Sequence, residues 1–422
     1  MKKLILQFAA VIMIAVHPEE VSAQARAQFA RPELVKEFQV KVPQAKLAEI
    51  KRRLSAAQLP AQMPPPKGES NWQTGADMRW LDQLRQYWVS GYDWQKAESW
   101  LNSFPQYMAD VDGYQVQFYY VKGETDDALP LVLTHGWPGS VVEFLNMIGP
   151  LTQPSKYGGQ KQDAFTVIIP SLPGFGFSSM PKQPINGMTT ARLWNKLVTQ
   201  IIGHPKYVAQ GGDMGAVITT HLGYLFPENV QAIHLNMFIW GTPIPEQSQT
   251  PEIKEWLRQT DESWQQQFDY ARIQTNRPMM PAVALHDSPI GTAAWIADKF
   301  WAWSDNGGDL DAVINRDIVI TDMMLYLLSE QGLAGTFWFY RSFTTELGGK
   351  FHPGYVKVPT AIAKFPKEFI NARPPLAAAQ FAYNVYRFTD MPGGGHFAAL
   401  EKPELLTRDI REAFRSFRSK KP

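Results

Sequence analysis

Five residues, Gly211-Gly212-Asp213-Met214-Gly215, constrain this chain more than any others. They follow a short apolar run at 207–210 and precede an apolar, helix-textured stretch at 216–225. Small residues flanking a central polar one make a sharp strand-to-helix elbow, in which backbone and helix crowd around a single exposed side chain. That side chain is Asp213, an oxygen nucleophile already ionised at neutral pH. A serine there would point to acyl transfer. A carboxylate needs no base to attack and suits displacement at a saturated carbon, giving an alkyl ester. A glycine-rich turn with a helix-capping Asp produces the same letters, so the surrounding chain must decide.

Beyond Pro130, short apolar runs at 131–133, 165–169, 207–209 and 232–237 alternate with helix-like segments such as 190–202. This alternation predicts crossover units and a mostly parallel sheet. Helical, Trp-rich sequence including 253–268 and 290–303 interrupts the rhythm. Strand texture then returns at 355–363 and 385–388, and an amphipathic helix at 403–417 closes the chain. In front, Leu47, Ile50 and Leu54 share one helix face, and Met78, Leu81, Leu84 and Trp88 share another. The proline-rich stretch 60–70 between them is not regular structure, and 114–121 reads as a strand after the turn Asp112-Gly113. The expected architecture is an α/β-hydrolase fold with a helical cap inserted late in the core and a helical N-terminal extension. Its parts are an N-terminal region with the first strands at 24–128, core at 129–242, cap at 243–349 and core again at 350–422.

Composition narrows the function. With 41 Lys+Arg against 40 Asp+Glu the chain has no bulk attraction for polyanions, so nucleic acid is not an expected partner. Zero cysteines exclude a disulfide framework, a thiolate nucleophile and Cys-ligated zinc. The 14 Trp, 24 Phe and 15 Tyr suit large apolar pockets as well as ordinary cores. A basic start, Met1-Lys2-Lys3, an apolar run at 4–16 and a small-x-small site ending at Ala23 read as a cleaved secretory signal, residues 1–23. The run is shorter than the roughly 20 residues that span a bilayer. The expected product is exported, periplasmic or secreted, with no membrane span after cleavage. An uncleaved anchor is the alternative, and a homo-oligomer is allowed.

Two further motifs bear on Asp213. Thr134-His135-Gly136-Trp137-Pro138-Gly139-Ser140 follows the first core strand, where such a turn aims the backbone N–H of Trp137 into the site. With the N–H of Met214 it would form an oxyanion hole. His135 is read as shaping this turn, not as a base. Gly393-Gly394-Gly395-His396-Phe397 follows the last strand, where the chain order nucleophile, acid, histidine places a general base, His396. Glu368 lies on the loop after strand 355–363. A carboxylate there would orient the imidazole, although a helix-start Glu fits the spacing equally well. This chemistry requires neither metal nor organic cofactor.

At these residues the chain resembles the microsomal-type epoxide hydrolases, the branch that includes juvenile-hormone epoxide hydrolases. The resemblance runs from about Phe38 to the last helix. It is carried by Trp72, Gly75, Leu84, Trp88, Tyr92-Asp93-Trp94 and Leu101-Asn102-Ser103-Phe104-Pro105, and by the turn from His135 to Ser140. Pro173-Gly174-Phe175-Gly176-Phe177-Ser178, Asp287-Ser288-Pro289-Ile290-Gly291 and Gly394, His396-Phe397-Ala398-Ala399 also match. The resemblance implies Asp213 as nucleophile, His396 as base and Glu368 as its acid. It also implies that Tyr270 and Tyr340 hydrogen-bond the epoxide oxygen. The implied partner is a small lipophilic epoxide. Met214 stands where the family usually has Trp, and Tyr119-Tyr120 stand in a strand where the family often has histidines. A haloalkane dehalogenase-like hydrolase shares the Asp and His but needs side-chain N–H donors for halide, which Met214 does not supply. A non-catalytic binding protein on the same fold is the alternative from another class.

Overall fold

The computed structural model describes residues 28–239, 244–342, 352–370 and 373–418. The signal-like segment 1–23 lies outside them. Nine strands form one sheet: β1 (Val35–Phe38), β2 (Gln106–Val111), β3 (Tyr114–Val121), β4 (Leu129–Thr134), β5 (Phe165–Pro170), β6 (Tyr207–Gly211), β7 (Val230–Leu235), β8 (Val356–Lys364) and β9 (Tyr383–Asp390). Their order is β1-β2-β3-β5-β4-β6-β7-β8-β9. The first three strands and the β3–β5 pair are antiparallel; β5 through β9 are parallel. Every residue of β5 and β6 is buried, as expected of parallel strands covered by helices on crossover connections. The helices Gly187–Lys196 and Met214–Leu225 pack together on this sheet, and so do Leu145–Thr152 and Pro403–Phe414.

Strands β1 and β2 lie ahead of the first strand expected from the sequence, 114–121. What makes β2 a strand is its hairpin with β3. Asp112 and Gly113 both adopt positive φ, 55° and 82°, the conformation that two-residue hairpin turns demand. The helix expected at 190–202 starts earlier, where Asn186 accepts the Thr189 N–H as a cap. It widens to π-type turns over Leu197–Ile202 and stops at Gly203, at φ 102°.

Six helices between Pro251 and Ser342 form the cap over the end of the sheet where β4 and β6 terminate. The N-terminal helices brace this cap. Trp72 stacks on Trp301 at 5.2 Å between ring centres, Tyr87 Oη donates to Asp317 Oδ1 at 2.7 Å, and Arg53 Nη1 donates to the Asp287 carbonyl at 2.8 Å. No helix among the described residues is long and apolar enough to cross a membrane.

Candidate active site

Asp213 sits between β6 and the helix Met214–Leu225 at φ 51°, ψ −127°, a strained conformation for a residue with a Cβ. Two glycines make the elbow sterically accessible. A Cβ on Gly215 would lie 1.8 Å from the Thr134 carbonyl oxygen, and one on Gly211 would lie 2.2 Å from that of Gly215. The Asp213 side chain does not cap the helix that follows it. Instead its Oδ1 accepts the backbone N–H of Trp137 at 2.9 Å. Met214 begins that helix, so its N–H belongs to the first turn, whose donors have no intrahelical acceptor.

His396 comes to Asp213 from the loop after β9. Its Nδ1 faces both Glu368 oxygens, at 2.9 and 3.0 Å, and its Nε2 lies 3.5 Å from Asp213 Oδ2. Glu368 lies four residues past the end of β8, and its Oε1 also accepts the Ile370 N–H at 3.1 Å. The acid and histidine loops are tied to each other, with Lys367 N–H donating to the Gly394 carbonyl at 3.1 Å. Burial alone would drive the imidazole's pKa down. The Glu368 and Asp213 carboxylates override it and hold the imidazole well above its ordinary value.

Over this trio the cap lowers two phenols. Tyr270, in the helix Asp269–Asn276, stacks flat on Trp137 with ring centres 4.8 Å apart. Tyr340, in the helix Phe337–Ser342, meets Trp137 edge-on at 5.7 Å. The two hydroxyls are 3.4 Å apart. Burial is the main force that pushes both phenols well above 10; the Asp213 charge comes next for Tyr270, and Tyr270 and then Asp213 for Tyr340, so both remain protonated donors at neutral pH. Trp303 and Phe369 stack at 4.1 Å and both meet the His396 ring edge-on, which makes the wall of the site aromatic.

His135 has the structural part expected of it. Its Nε2 accepts the Leu172 N–H at 3.2 Å, so Nδ1 carries the proton toward the Gly136 carbonyl, and burial lowers its pKa to about 4. Each residue singled out in the sequence thus lies at one place in the fold: Asp213, His396, Glu368, Tyr270, Tyr340, Trp137 and Met214. Sequence reasoning missed Trp303, whose carbonyl accepts the His396 N–H at 2.9 Å. It also missed Glu401, whose carboxyl accepts the N–H groups of Asp305, Gly395 and Phe397 at 2.6, 2.9 and 3.0 Å and so clamps the histidine loop. Burial raises Glu401 to about 7. Neither residue carries a local motif that could have marked it.

A carboxylate on a strand-to-helix elbow, a histidine–glutamate pair on late loops and an inserted cap define an α/β-hydrolase-fold enzyme. Comparison with known proteins narrows the class. Residues 35–144 match the family described as "Epoxide hydrolase N terminus", and residues 130–294 match "alpha/beta hydrolase fold". A putative epoxide hydrolase of Stigmatella aurantiaca is 38% identical over 385 residues, covering 91% of this chain and 85% of that protein. Epoxide hydrolase 1 of Sus scrofa is 30% identical over 418 residues, covering 92% and 90%. The crystal structure of juvenile hormone epoxide hydrolase from the silkworm Bombyx mori aligns with a TM-score of 0.80 at 26% identity, covering 91% of this chain and 95% of that one. The chain belongs to the epoxide hydrolase family.

Proposed function

We propose that the chain converts a lipophilic epoxide and water into a vicinal diol in two half-reactions. In the first, one Asp213 oxygen attacks an epoxide carbon and the C–O bond breaks. Tyr270 and Tyr340 hydrogen-bond the departing oxygen, and one of them gives it a proton. In the second, His396 Nε2 takes a proton from water, and the hydroxide adds to the ester carbonyl. Backbone N–H groups of Trp137 and Met214 hold the resulting oxyanion. Collapse breaks the bond between the ester carbonyl carbon and the alkoxy oxygen. The released alkoxide takes the proton from His396, and the carboxyl proton of regenerated Asp213 restores the phenol.

The observation that carries this reading is the 3.4 Å pair of buried, protonated phenols above a carboxylate whose other neighbour is a histidine. The opening epoxide oxygen must gain a proton, which a departing halide does not, and the two phenol O–H groups can supply it. The sequence of events also suits His396. Once Asp213 becomes a neutral ester, one of the two anions that hold the imidazole protonated disappears, and the ring can act as a base. The aromatic walls, Trp137, Trp303 and Phe369, suit a lipophilic substrate.

A single turnover in ¹⁸O-water tests the ester. The diol formed first should be unlabelled in its new oxygen, because that atom comes from Asp213, and the label should appear in the enzyme. Full labelling of the first diol would reject the intermediate, and chloride release from haloalkanes without diol from any epoxide would support the dehalogenase instead. Tyr270→Phe and Tyr340→Phe should each slow alkylation, and the double variant should lose about 10²-fold or more, since both donors to the opening oxygen are then gone. An unchanged alkylation rate in the double variant would remove the tyrosines from the reaction.

A further inference from the structure

One buried carboxyl in this site has no part in the steps above. Glu143 lies in the short turn Val141–Phe144, just after the loop that presents Trp137. Its side chain folds back beneath that loop. A Cβ on Gly139 would lie 1.8 Å from Glu143 Oε1, so the carboxyl occupies space that any other residue at 139 would fill. It reaches a small cavity whose polar lining includes Asp213, His396 and Asn236 as well as Glu143. The accessible volume is about 10 Å³. That is the space of a single water, which needs polar partners such as these on its walls. The Asn236 side-chain oxygen Oδ1 already accepts from Gln210 Nε2 at 2.7 Å. Phe144, Phe397 and Leu406 make up part of the remaining wall.

From this geometry we infer that the cavity seats the hydrolytic water and that Glu143 is a catalytic residue of ester hydrolysis, accepting one O–H of that water while His396 removes the other proton. The inference rests on the ester mechanism proposed above. Glu143 transfers no proton itself. It fixes the water between the base and the ester carbonyl, and its carboxyl has an acceptor oxygen whether protonated or not. Its electrostatic surroundings agree. Burial first, and the buried Asp322 next, raise its pKa to about 8, while the His396 cation draws it down. Formation of the imidazolium therefore favours a carboxylate at Glu143, and the carboxylate favours the imidazolium in return.

Quenched-flow with intact-mass detection separates the two half-reactions. In Glu143→Ala, alkylation of Asp213 should proceed within about twofold of the parent rate, while ester hydrolysis falls about 10²-fold, the typical cost of losing the alignment of a reacting group. The alkyl-enzyme should then accumulate in the steady state. Glu143→Gln keeps the shape but replaces one acceptor oxygen by an NH₂ donor and cannot carry the charge that favours the imidazolium, so hydrolysis should slow about tenfold through the weaker, uncharged hydrogen bond. Equal slowing of both steps would mark Glu143 as structural only, and an unchanged hydrolysis rate in the Gln variant would overturn its role with or without a folded Ala variant. A different result, in which the parent enzyme forms no ester and labels its first diol fully, would reject the underlying mechanism instead.

Discussion

Asp213→Asn is expected to lose diol formation altogether, with kcat lower by at least about 10⁴-fold, the order seen when a nucleophile is removed from a catalytic unit that acts as a whole. The carboxamide retains the shape of Asp213 and tolerates its φ of 51°, since Asn occupies positive φ more readily than most residues. The acceptor for the Trp137 N–H at 2.9 Å also remains. A loss of activity can then be assigned to chemistry, with the thermal midpoint as the control. Asp213→Ala should abolish turnover as well, but it sheds that acceptor and some conformational compatibility, so a modestly lower midpoint is expected. The electrostatic consequence is separately measurable. Without the Asp213 anion, one of the charges that counter His396's burial is gone, and the imidazole should titrate lower by NMR than in the parent. Diol formation by the Asn variant at a rate near the parent's, with the amide intact by mass, would place the nucleophile elsewhere.

His396→Gln should separate the half-reactions cleanly. Alkylation needs only the carboxylate and the phenol donors, so the variant should consume one equivalent of epoxide. It should then stop, its mass raised by that of the substrate at the peptide containing Asp213. Turnover should fall by about 10³-fold or more, within the range that general-base removal costs. Glutamine cannot accept a proton from water, and Glu368, 2.9 Å from the imidazole on its far side, cannot replace it at the position facing Asp213. Lost turnover with no adduct would mean that His396 acts before the ester forms. Undiminished turnover would mean that another base serves.

The parts of this protein visible in its sequence are those governed by local sterics. The elbow at Asp213 was legible because a residue at positive φ between crowding glycines demands small neighbours at fixed spacing, and the structure shows carbonyls within 1.8–2.2 Å of where a Cβ would stand. The central strands β4 to β7 were legible because buried parallel strands need near-continuous apolar runs. Tyr270 and Tyr340 were visible only through family resemblance, since an aromatic residue in a helical insertion has no local signature of its neighbours. Strands β1 and β2 escaped notice because their identity comes from pairing, Gln106 to Val111 along β3, and not from their own residues.

Sequence alone therefore determined a mostly parallel α/β sheet, an ionised carboxylate at its strand-to-helix elbow, a histidine on a late glycine loop and a near-neutral net charge. Tertiary structure decided what those groups face. It set His396 between Glu368 and Asp213, hung two phenols 3.4 Å apart above them, and clamped the histidine loop through Glu401. It also folded Glu143 under Gly139 against a cavity of one water's size. The division has a physical cause. Backbone sterics act over a few residues and leave their mark in spacing, whereas packing joins residues far apart in the chain, through contacts that no local stretch of sequence encodes.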